Sequence, residues 1–502
     1  MRFLLINPNL IVNEKDMLTT GIVYLPIGLC YASSFLNKNN IQHNVIDLFG
    51  SNPTNILKRM DNFIYFGEDI SQFNQEIRGA DAIFIYANQV VNHLSLIDLK
   101  RRIRMLNLNV KIFFFENTQA VTAYSLKNLH NEFIQEENDF IIVGDPENKM
   151  FEICSKLLNK QSIENHYLLS KKQNNIKSRD INQNIESLGF PNWDCIPIKN
   201  YWKIGHAHGP QSTNKYLSLL TSRGCPYPCK FCIIPEISNR KWRYRTPNHI
   251  VEEMLYFNKK YNVTEFHIED LNPTVNEKRI VELCNLIINT KIKFNWKIVA
   301  GTKVESLKKE ETISLMAKSG CSYISISPES GSKELMRKIN KPFDISHAIK
   351  TIHFFNKYKI FSQACFVLGF PGETPDDIHL TKVMIRDLVK NGIDEIALFI
   401  ITPIPGSEIF NQIDGYENFS QLNFSPTWRS DYKKLSRIRI KLYIYFLFLK
   451  VVFFPIKTIK QCINFFSLKF ETKMEMVPFK FIKNKISLYK YNIYEKKKNC
   501  NF

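Results

Sequence analysis

The stretch Ser222-Arg223-Gly224-Cys225-Pro226-Tyr227-Pro228-Cys229-Lys230-Phe231-Cys232 decides how the rest of the chain is interpreted. It holds three cysteines within eight residues, spaced Cys-x3-Cys-x2-Cys. A four-iron cluster held by cysteine normally takes one thiolate per iron. Three thiolates would therefore leave one iron open to a substrate or cofactor, and we interpret the three cysteines as such a metal centre.

Other interpretations of these cysteines fit the sequence less well. A structural zinc ion needs four ligands, and the nearest candidates, His206, His208 and His249, do not stand at zinc-finger spacing. A disulfide would leave one of the three cysteines unpaired. Ordinary core cysteines are the remaining alternative, but three of them interleaved with two prolines are too concentrated for that.

The cysteine spacing, with Phe231 directly before the last cysteine, resembles the signature of the radical S-adenosylmethionine superfamily. In that family the open iron binds the amino and carboxylate groups of S-adenosylmethionine, and an electron from the cluster cleaves the cofactor to a 5'-deoxyadenosyl radical. Further motifs resemble the branch with an N-terminal cobalamin-binding domain: Tyr244-Arg245-Thr246-Pro247, Ile268-Glu269-Asp270-Leu271-Asn272, Ser327-Pro328-Glu329-Ser330-Gly331-Ser332, Leu368-Gly369-Phe370-Pro371-Gly372-Glu373-Thr374 and Pro403-Ile404-Pro405-Gly406-Ser407.

The resemblance implies cofactor-binding roles for five residues besides the cysteines. Phe231 would pack against the adenine, and Glu269 with Asp270 would contact the methionyl amino group, although the usual Gly-Gly-Glu is absent. Glu329 would bind the ribose hydroxyls or the methionyl end. Gly369 would shape the adenine pocket, because glycine allows close backbone approach. A hydrophobic plug for Phe231 and a solvated acidic pair for Glu269 and Asp270 stay open as alternatives, and no catalytic acid or base is assigned.

Residues 1–150 alternate short apolar strands with segments of helix length. This alternation predicts a parallel sheet wound on both faces, a Rossmann-like α/β domain. Ligands of such sheets bind beyond the carboxyl ends of the strands. Asn7-Pro8-Asn9, Asp47, Asn88-Gln89 and Gly144-Asp145 stand at those ends.

The strand and helix alternation resumes in residues 211–410, after a connector over residues 151–210. Six βα units are too few to close an eightfold barrel. The resemblance supplies the interpretation, an open partial (β/α)6 TIM-type barrel with its active site at the carboxyl ends of the strands. The three cysteines follow the first of these strands, at that rim. Residues 411–502 are predicted to form a basic, aromatic-rich helical extension.

Cobalamin is implied by the resemblance and not by a ligand motif. Many cobalamin domains present a histidine to cobalt from Asp-x-His-x-x-Gly, and residues 1–150 contain no such run. His43, His93 and His130 are isolated, and we interpret them as surface histidines. Similar domains of this branch hold the corrin without a histidine ligand. A degenerate domain that only supports the barrel is the alternative.

The net charge of +19 is concentrated at the C-terminal end. Residues 433–502 hold 17 Lys and Arg against 3 Asp and Glu, a net charge of +14. A basic tail on a nearly neutral body argues against nucleic acid and for a local surface contact. Residues 442–456 form an apolar run broken by Lys450 and Pro455, too short for a spanning helix of about 20 residues. It suits a helix at a membrane interface or a helix packed on the barrel.

Eleven cysteines and the lack of a signal-peptide pattern predict a reducing, cytoplasmic location. The basic tail adds the expectation of peripheral membrane contact. The resemblance implies an enzyme that uses a 4Fe-4S cluster, S-adenosylmethionine and cobalamin. It would methylate or rearrange an unactivated carbon of a specialised or cell-envelope metabolite, either a small molecule or a lipid-linked one. An electron donor such as flavodoxin or ferredoxin is also implied.

Two functional alternatives remain open, a radical enzyme without cobalamin and an inactive iron-sulfur scaffold. A tRNA methylthiotransferase is a relative of the first kind. It would need a second three-cysteine site in the N-terminal domain, and only Cys30 and Cys154 precede residue 160.

Overall fold

The computed structural model describes residues 1–60, 62–118, 120, 122–176, 181–303 and 305–500. The strands of its N-terminal half are β1 (Phe3–Asn7), β2 (Leu10–Asn13), β3 (His43–Asp47), β4 (Ile56–Met60), β5 (Phe63–Phe66), β6 (Ala82–Ala87), β7 (Lys111–Glu116), β8 (Asp139–Ile142) and β9 (Leu168–Leu169). The helices of this half are α1 (Ile27–Lys38), α2 (Leu48–Ser51), α3 (Asn74–Arg78), α4 (His93–Leu106), α5 (His130–Phe133), α6 (Glu147–Leu158) and α7 (Ile198–Ile204).

The N-terminal sheet has the strand order β3-β1-β6-β7-β8-β9. Its first five strands are parallel, and β9 pairs antiparallel with β8. Alternate residues of each strand enter different cores, with Leu5 and Phe84 on one face and Leu4 and Ile83 on the other. The predicted Rossmann-like sheet, wound on both faces, is therefore confirmed. A small antiparallel sheet, β2-β5-β4, lies beside it and was not predicted.

The second half is an open barrel. Its strands are β10 (Tyr216–Leu219), β11 (Ser222–Arg223), β12 (Arg243–Tyr244), β13 (Glu265–Ile268), β14 (Asn295–Thr302), β15 (Cys321–Glu329), β16 (Phe361–Leu368) and β17 (Glu395–Ile400). Its helices are α8 (Ile234–Ser238), α9 (Pro247–Tyr261), α10 (Glu277–Asn289), α11 (Glu310–Lys318), α12 (Lys333–Lys338), α13 (Ile345–Lys357) and α14 (Pro375–Lys390).

Six of these strands form one parallel sheet in the order β10-β13-β14-β15-β16-β17. The predicted six-stranded partial barrel is therefore confirmed. The remaining two strands, β11 and β12, pair antiparallel as a short ribbon. This ribbon flanks the segment that carries the three cysteines, so the predicted metal centre lies at the carboxyl end of the first barrel strand.

The C-terminal extension consists of α15 (Tyr432–Phe453), α16 (Pro455–Ser467) and α17 (Lys473–Cys500), which confirms the predicted helical tail. Helix α15 packs on the barrel edge, where the backbone N–H of Leu398 donates to the Tyr443 hydroxyl at 2.9 Å. Helix α17 reaches back to the N-terminal half, because Lys480 donates to the carbonyl of Thr20 at 2.6 Å. The tail thus contacts both halves of the chain.

Among the described residues no single helix is long and apolar enough to cross a membrane. Helices α15 and α16 pass that test only as a pair, and the chain bends by 113° at their junction.

Candidate functional site

The cysteine loop leaves the barrel directly after β10 and β11. Cys225, Cys229 and Cys232 form no disulfide, and each is partly exposed. The backbone N–H of Ile234, at the start of α8, donates to the Cys232 sulfur at 3.4 Å. Gly224 opens the loop with φ +78, and a Cβ there would lie 2.2 Å from the carbonyl of Lys241. Only glycine fits this turn, which aims the loop across the rim of the barrel.

Lys341 is a buried positive charge beside the cysteine loop. Burial raises the pKa values of the three thiols, that of Cys232 to about 12, while Lys341 lowers them. The Lys341 Nζ lies 5.8 Å from the centre of the Phe231 ring and forms an ion pair with Glu329. Lys341 therefore stands where it would offset the negative charge of three thiolates.

The segment before Lys341 is fixed to the cysteine loop by hydrogen bonds in both directions. The backbone N–H of Lys230 donates to the carbonyl of Ile339 at 3.0 Å. The Asn340 side-chain amide donates to the carbonyl of Pro228 at 3.1 Å. Sequence reasoning missed Lys341, because it follows α12 without any motif around it. A lysine three residues beyond the end of a helix carries no sequence signal of its own.

The donor set of the loop suits an iron-sulfur cluster. Within the described part of the chain, no three His, Cys, Asp or Glu side chains converge closely enough for a single metal ion. A four-iron cluster does not require that convergence, because it distributes its cysteines over separate irons. Three unpaired thiols in one loop with a buried lysine beside them fit such a cluster.

Glu269 and Asp270 follow β13, and the structure gives them different surroundings. Asp270 is buried and accepts hydrogen bonds from the backbone N–H of Thr221 at 2.7 Å and the hydroxyl of Ser222 at 2.6 Å. Both carboxylate oxygens of Asp270 thus hold the chain just before the cysteines. Because both residues are buried, the alternative of a solvated acidic pair is wrong. Their predicted contact with the methionyl amino group stays a prediction.

Glu269 pairs with a histidine that the sequence left unassigned. The Nδ1 atom of His208 lies 2.6 Å from the Glu269 carboxylate, and the His208 ring contacts Tyr24 with centroids 4.5 Å apart. Burial lowers the pKa of His208, and Glu269 opposes this effect. A neutral His208 that donates from Nδ1 to Glu269 keeps Nε2 as a proton acceptor. This pair is the strongest candidate for acid-base work near the rim.

Glu329, Phe231 and Gly369 gather at the neighbouring strand ends. Glu329 ends β15 with φ +60, a left-handed conformation that is rare outside glycine. Phe231 packs edge to face against Phe370, with centroids 5.4 Å apart. The structure therefore brings three of the predicted cofactor-binding residues together around Lys341 and Phe370, and their contacts with the cofactor stay predictions.

Gly369 also has a packing role. A Cβ on Gly369 would lie 2.6 Å from a methyl carbon of Leu435 in α15. The residue lines a cleft of about 580 Å³ with Glu373, Arg429 and Asp431. Its N–H donates to the Glu373 carboxylate at 2.5 Å, and burial raises the pKa of Glu373 to about 7.

A buried ion-pair network joins the cysteine loop to the N-terminal half. Arg223 donates to Glu147 at 2.7 Å and lies 3.5 Å from Asp145, and Arg243 also pairs with Asp145. Burial alone would raise the pKa of Asp145, but the two arginines outweigh it and lower the pKa to about 2. Asp145, which the sequence places at a ligand-binding strand end, therefore anchors the two domains to each other.

A second cleft lies between the two domains. Its N-terminal wall carries Tyr24, Tyr86, Asn88, Gln89 and Asn117, and its barrel wall carries His208, Glu269, Leu271 and Ala300. The cysteine loop adjoins this barrel wall, since the side chain of Asn272, which directly follows Leu271, lies close enough to Cys225 to lower the pKa of its thiol. The carboxyl ends of both sheets thus meet at one place.

Comparison with known protein families finds a match for the segment that contains this site. The model of the radical S-adenosylmethionine superfamily matches residues 219–406, the segment that carries the cysteine loop and all five residues singled out around it. Residues 219–406 are a radical S-adenosylmethionine domain. Proteins of this superfamily bind a 4Fe-4S cluster and S-adenosylmethionine.

Relatives of the radical S-adenosylmethionine domain include methyltransferases. An uncharacterised methyltransferase of Pyrococcus horikoshii is 25% identical over 295 residues, which are 58% of this chain and 60% of the relative. Cytidylyl-2-hydroxyethylphosphonate methyltransferase of Streptomyces wedmorensis is 23% identical over 442 residues, 82% of this chain and 81% of the relative. The second alignment extends the likeness through both domains.

Solved structures share the fold of both domains. The radical S-adenosylmethionine methyltransferase TsrM of Kitasatospora setae aligns with a TM-score of 0.60 and 13% identity, covering 82% of this chain and 75% of that one. The cobalamin-dependent S-adenosylmethionine radical enzyme OxsB, with aqua-cobalamin and S-adenosylmethionine bound, gives a TM-score of 0.59 and 17% identity, covering 88% and 56%. At these identities the likeness shows the arrangement of the fold.

The histidines of the N-terminal domain lie away from the cleft between the domains. His43 begins β3, at the amino end of the sheet, and contacts the Ser33 hydroxyl at 2.8 Å. His93 is 2% exposed and packs against Phe133 and Phe419. The interpretation of His93 as a surface histidine is therefore wrong. None of the three histidines named from the sequence lines the cleft.

The side chains that line the cleft suit a corrin, but the volume of the cleft is too small for one. Its N-terminal wall consists of aromatic rings and side-chain amides, which suit the amide-rimmed corrin macrocycle. The cleft encloses about 40 Å³, so its walls must separate before such a macrocycle can enter.

Proposed function

We propose that this protein is a cobalamin-dependent radical S-adenosylmethionine methyltransferase. It would act on an unactivated carbon of a small-molecule or lipid-linked substrate, as a specialised or cell-envelope metabolite would offer. One observation carries the proposal: Asn88 at the carboxyl edge of the Rossmann-like sheet lines one cleft together with Glu269 and Leu271 of the barrel, which lie beside the cysteine loop. Reactions in which a radical must meet a second cofactor need this convergence, because both groups have to reach one substrate atom.

The cofactors would carry the chemistry, and the chain would hold and orient them. When bound, the cluster supplies the electron that cleaves S-adenosylmethionine to methionine and a 5'-deoxyadenosyl radical, and cobalamin supplies a methyl group. Cys225, Cys229 and Cys232 would hold the cluster, with Lys341 offsetting its charge. Asn88 and Asn117 would face the corrin from the N-terminal wall.

His208 is suited to hold the substrate in place. The hydrogen atom of the substrate carbon would leave to the 5'-deoxyadenosyl group, so the exchange of hydrogen for methyl releases no proton, and the Nε2 atom of His208 would accept a hydrogen bond from a polar group of the substrate. Glu269 fixes the orientation of the His208 ring at 2.6 Å, and Tyr24 packs against the ring. The pair lies in the barrel wall of the cleft, where a substrate between the two cofactors would sit.

The test is anaerobic reconstitution with iron and sulfide, followed by reduction and addition of S-adenosylmethionine. We expect 5'-deoxyadenosine to form. Protein incubated with hydroxocobalamin and desalted should retain a corrin absorbance spectrum. Replacing His43, His93 or His130 by alanine should leave that spectrum unchanged, since none of the three lines the cleft.

The two readouts separate the alternatives. Cofactor cleavage without retained cobalamin would favour a radical enzyme that does not use cobalamin. Cobalamin retention without cleavage, in protein that holds its cluster, would contradict the enzyme proposal and favour a scaffold. The electron donor, flavodoxin or ferredoxin, remains a proposal that the same purified protein can test when each donor replaces the chemical reductant. The cytoplasmic location also remains a proposal.

A further inference from the structure

The outer face of the C-terminal helices is apolar over two successive helices. Seven large apolar side chains of α15 and four of α16 are each at least 41% exposed. They are Ile440, Ile444, Leu447, Phe448, Val451, Val452, Phe453, Ile456, Ile459, Ile463 and Phe466. We call this set the outer apolar face.

The spacing of these residues makes one continuous stripe on each helix. On α15 the positions 440, 444, 448 and 451 repeat every three or four residues, and on α16 the positions 456, 459, 463 and 466 do the same. Residues at that spacing share one side of a helix. Exposed apolar residues scattered singly are normal in proteins, whereas a contiguous stripe marks an interaction site.

The opposite side of α15 already has its partner. Leu442, Phe446 and Leu449 are buried in the core that includes the barrel strands. Helix α16 has no fully buried residue, and Ile456 and Phe466 are each 82% exposed. The outer apolar face is therefore not the packing side of either helix, and packing on the barrel does not account for it.

The helices that carry this face are rich in positive charge. From Lys433 to Lys469 the sequence holds nine Lys and Arg and no Asp or Glu. Lys433, Lys434, Arg437 and Lys441 are exposed along the first turns of α15, and Lys469 is exposed after α16, while Lys460 on α16 pairs with Glu471 at 3.0 Å. A cationic, apolar surface complements an anionic lipid bilayer, which offers negative headgroups above hydrocarbon.

The bend between the helices sets the mode of contact. At 113° the two helices cannot cross a bilayer as one rod, while two amphipathic helices can lie in the plane of the headgroups. We propose that the outer apolar face docks this protein on the surface of an anionic membrane, with α15 and α16 embedded to the depth of their apolar side chains. This proposal does not depend on the proposed function.

The test is sedimentation of the full-length protein with vesicles of phosphatidylcholine alone or with 30% phosphatidylserine. We expect at least tenfold tighter binding to the anionic vesicles. The triple variant Ile456→Ser, Ile463→Ser, Phe466→Ser should lose at least tenfold in affinity. The matched control Met105→Ser, Leu108→Ser, Leu158→Ser, which removes exposed apolar residues elsewhere, should bind like the parent.

The cationic part of the face is tested separately. The variant Lys433→Gln, Lys434→Gln, Arg437→Gln, Lys441→Gln should lose most of the preference for anionic over neutral vesicles while retaining weak binding. High salt should act in the same direction, because it screens exposed charges and leaves apolar burial intact.

Two results would overturn the proposal. One is equal vesicle binding by the parent and the α16 triple variant. The other is an absence of vesicle binding together with a dimer in sedimentation velocity that the triple variant abolishes, since a second copy of the chain would then cover the face.

Discussion

The two sheets of this protein differ in the side chains that stand at the carboxyl ends of their strands. At the edge of the Rossmann-like sheet the acidic side chains are occupied by the chain itself. Asp47 accepts from Asn7 and Tyr201 at 2.8 Å, and Asp145 accepts from Arg243 and Thr118. At the edge of the barrel, three unpaired thiols lie in the loop after β10, and the His208 and Glu269 pair lines a cleft.

The difference teaches that position at a strand end does not by itself identify a ligand-binding residue. Buried carboxylates are costly unless paired, and in the first sheet each pairing also ties one part of the chain to another. Thiols that are left unpaired beside a buried lysine have no comparable structural use. We therefore expect the reaction to take place at the barrel edge, whereas the acidic side chains of the first sheet hold segments of the chain together.

The largest effect is expected when the three cysteines at the barrel edge are replaced. Replacing Cys225, Cys229 and Cys232 by alanine should abolish iron-sulfur absorbance and 5'-deoxyadenosine formation, because no other three cysteines share a loop in the sequence. Absorbance of the reconstituted protein and chromatography of its products measure both effects. The exposed Cys462 provides the control, and Cys462→Ser should keep both activities. Cofactor cleavage by the triple variant would show that the cluster is held elsewhere.

The next test removes the ion pairs of Asp145 at the edge of the Rossmann-like sheet. Asp145→Asn removes the negative charge beside Arg223 and Arg243. Arg223 keeps its pair with Glu147, but Arg243 loses its acidic partner, and leaving a buried charge without a partner costs about 3–5 kcal/mol. Denaturant unfolding should show a loss of this size. Exposed Asp414 is the control, and Asp414→Asn should change the free energy of unfolding by less than about 0.5 kcal/mol. An effect of Asp145→Asn no larger than the control would mean that the network contributes little.

A pH-dependent test concerns Glu373, at the barrel edge beside Gly369. Its pKa is raised by burial to about 7, so the stability that the protonated form contributes is present below the ordinary pKa of a glutamate and is lost as the pH rises through 7. Glu373→Gln should therefore stabilise the protein at pH 8.5 by about 2 kcal/mol and have little effect at pH 4.5. Thermal unfolding at both pH values measures this, and equal effects at the two pH values would contradict it.

The smallest expected effect tests whether Lys341 offsets the charge of the cluster. Lys341→Met removes a buried positive charge and should shift the reduction potential of the cluster downward by on the order of 50 mV. Lys303, whose Nζ lies 4.4 Å from the Tyr227 ring, is the control, since its effect on the thiols ranks below that of Lys341. Redox titration followed by electron paramagnetic resonance measures the shift. Equal shifts of the reduction potential in Lys341→Met and Lys303→Met would contradict a special role for Lys341.

Most of the fold follows from the sequence because its signals are local. Apolar runs of about five residues, such as Phe3–Asn7 and Ala82–Ala87, became strands of the predicted sheet. The small sheet β2-β5-β4 escaped prediction, because Leu10–Asn13 is only four residues long and directly follows Asn7-Pro8-Asn9, where the sequence places the loop at the end of β1. The helical tail was predicted, but its packing needed the structure. Leu442 and Phe446 turn inward while Ile444 and Phe448 turn outward, so one run holds both a packing face and an exposed face.

The candidate site divides in the same way. Spacing alone identified Cys225, Cys229 and Cys232. Lys341 and His208 could not be identified by spacing, because they come from segments that are distant in sequence from the cysteines and contain no motif. Asp270 was singled out by its place after a strand, and its hydrogen bonds to Thr221 and Ser222 became visible only when the loop was folded.

Helix α17 has a consequence for the order of assembly. It contacts the N-terminal half through Lys480 and Lys483, which donate to the carbonyls of Thr20 and Ile204, and it contacts the barrel through Lys473, which donates to Val299 at 3.0 Å. The ribosome makes this helix after both domains have emerged, and domains generally fold as they emerge. The two domains thus exist for a time without the clasp that holds them together. Release of this clasp would let the cleft open, in a new chain or in purified protein, so the rate at which α17 detaches would limit how fast a cofactor larger than the closed cleft enters.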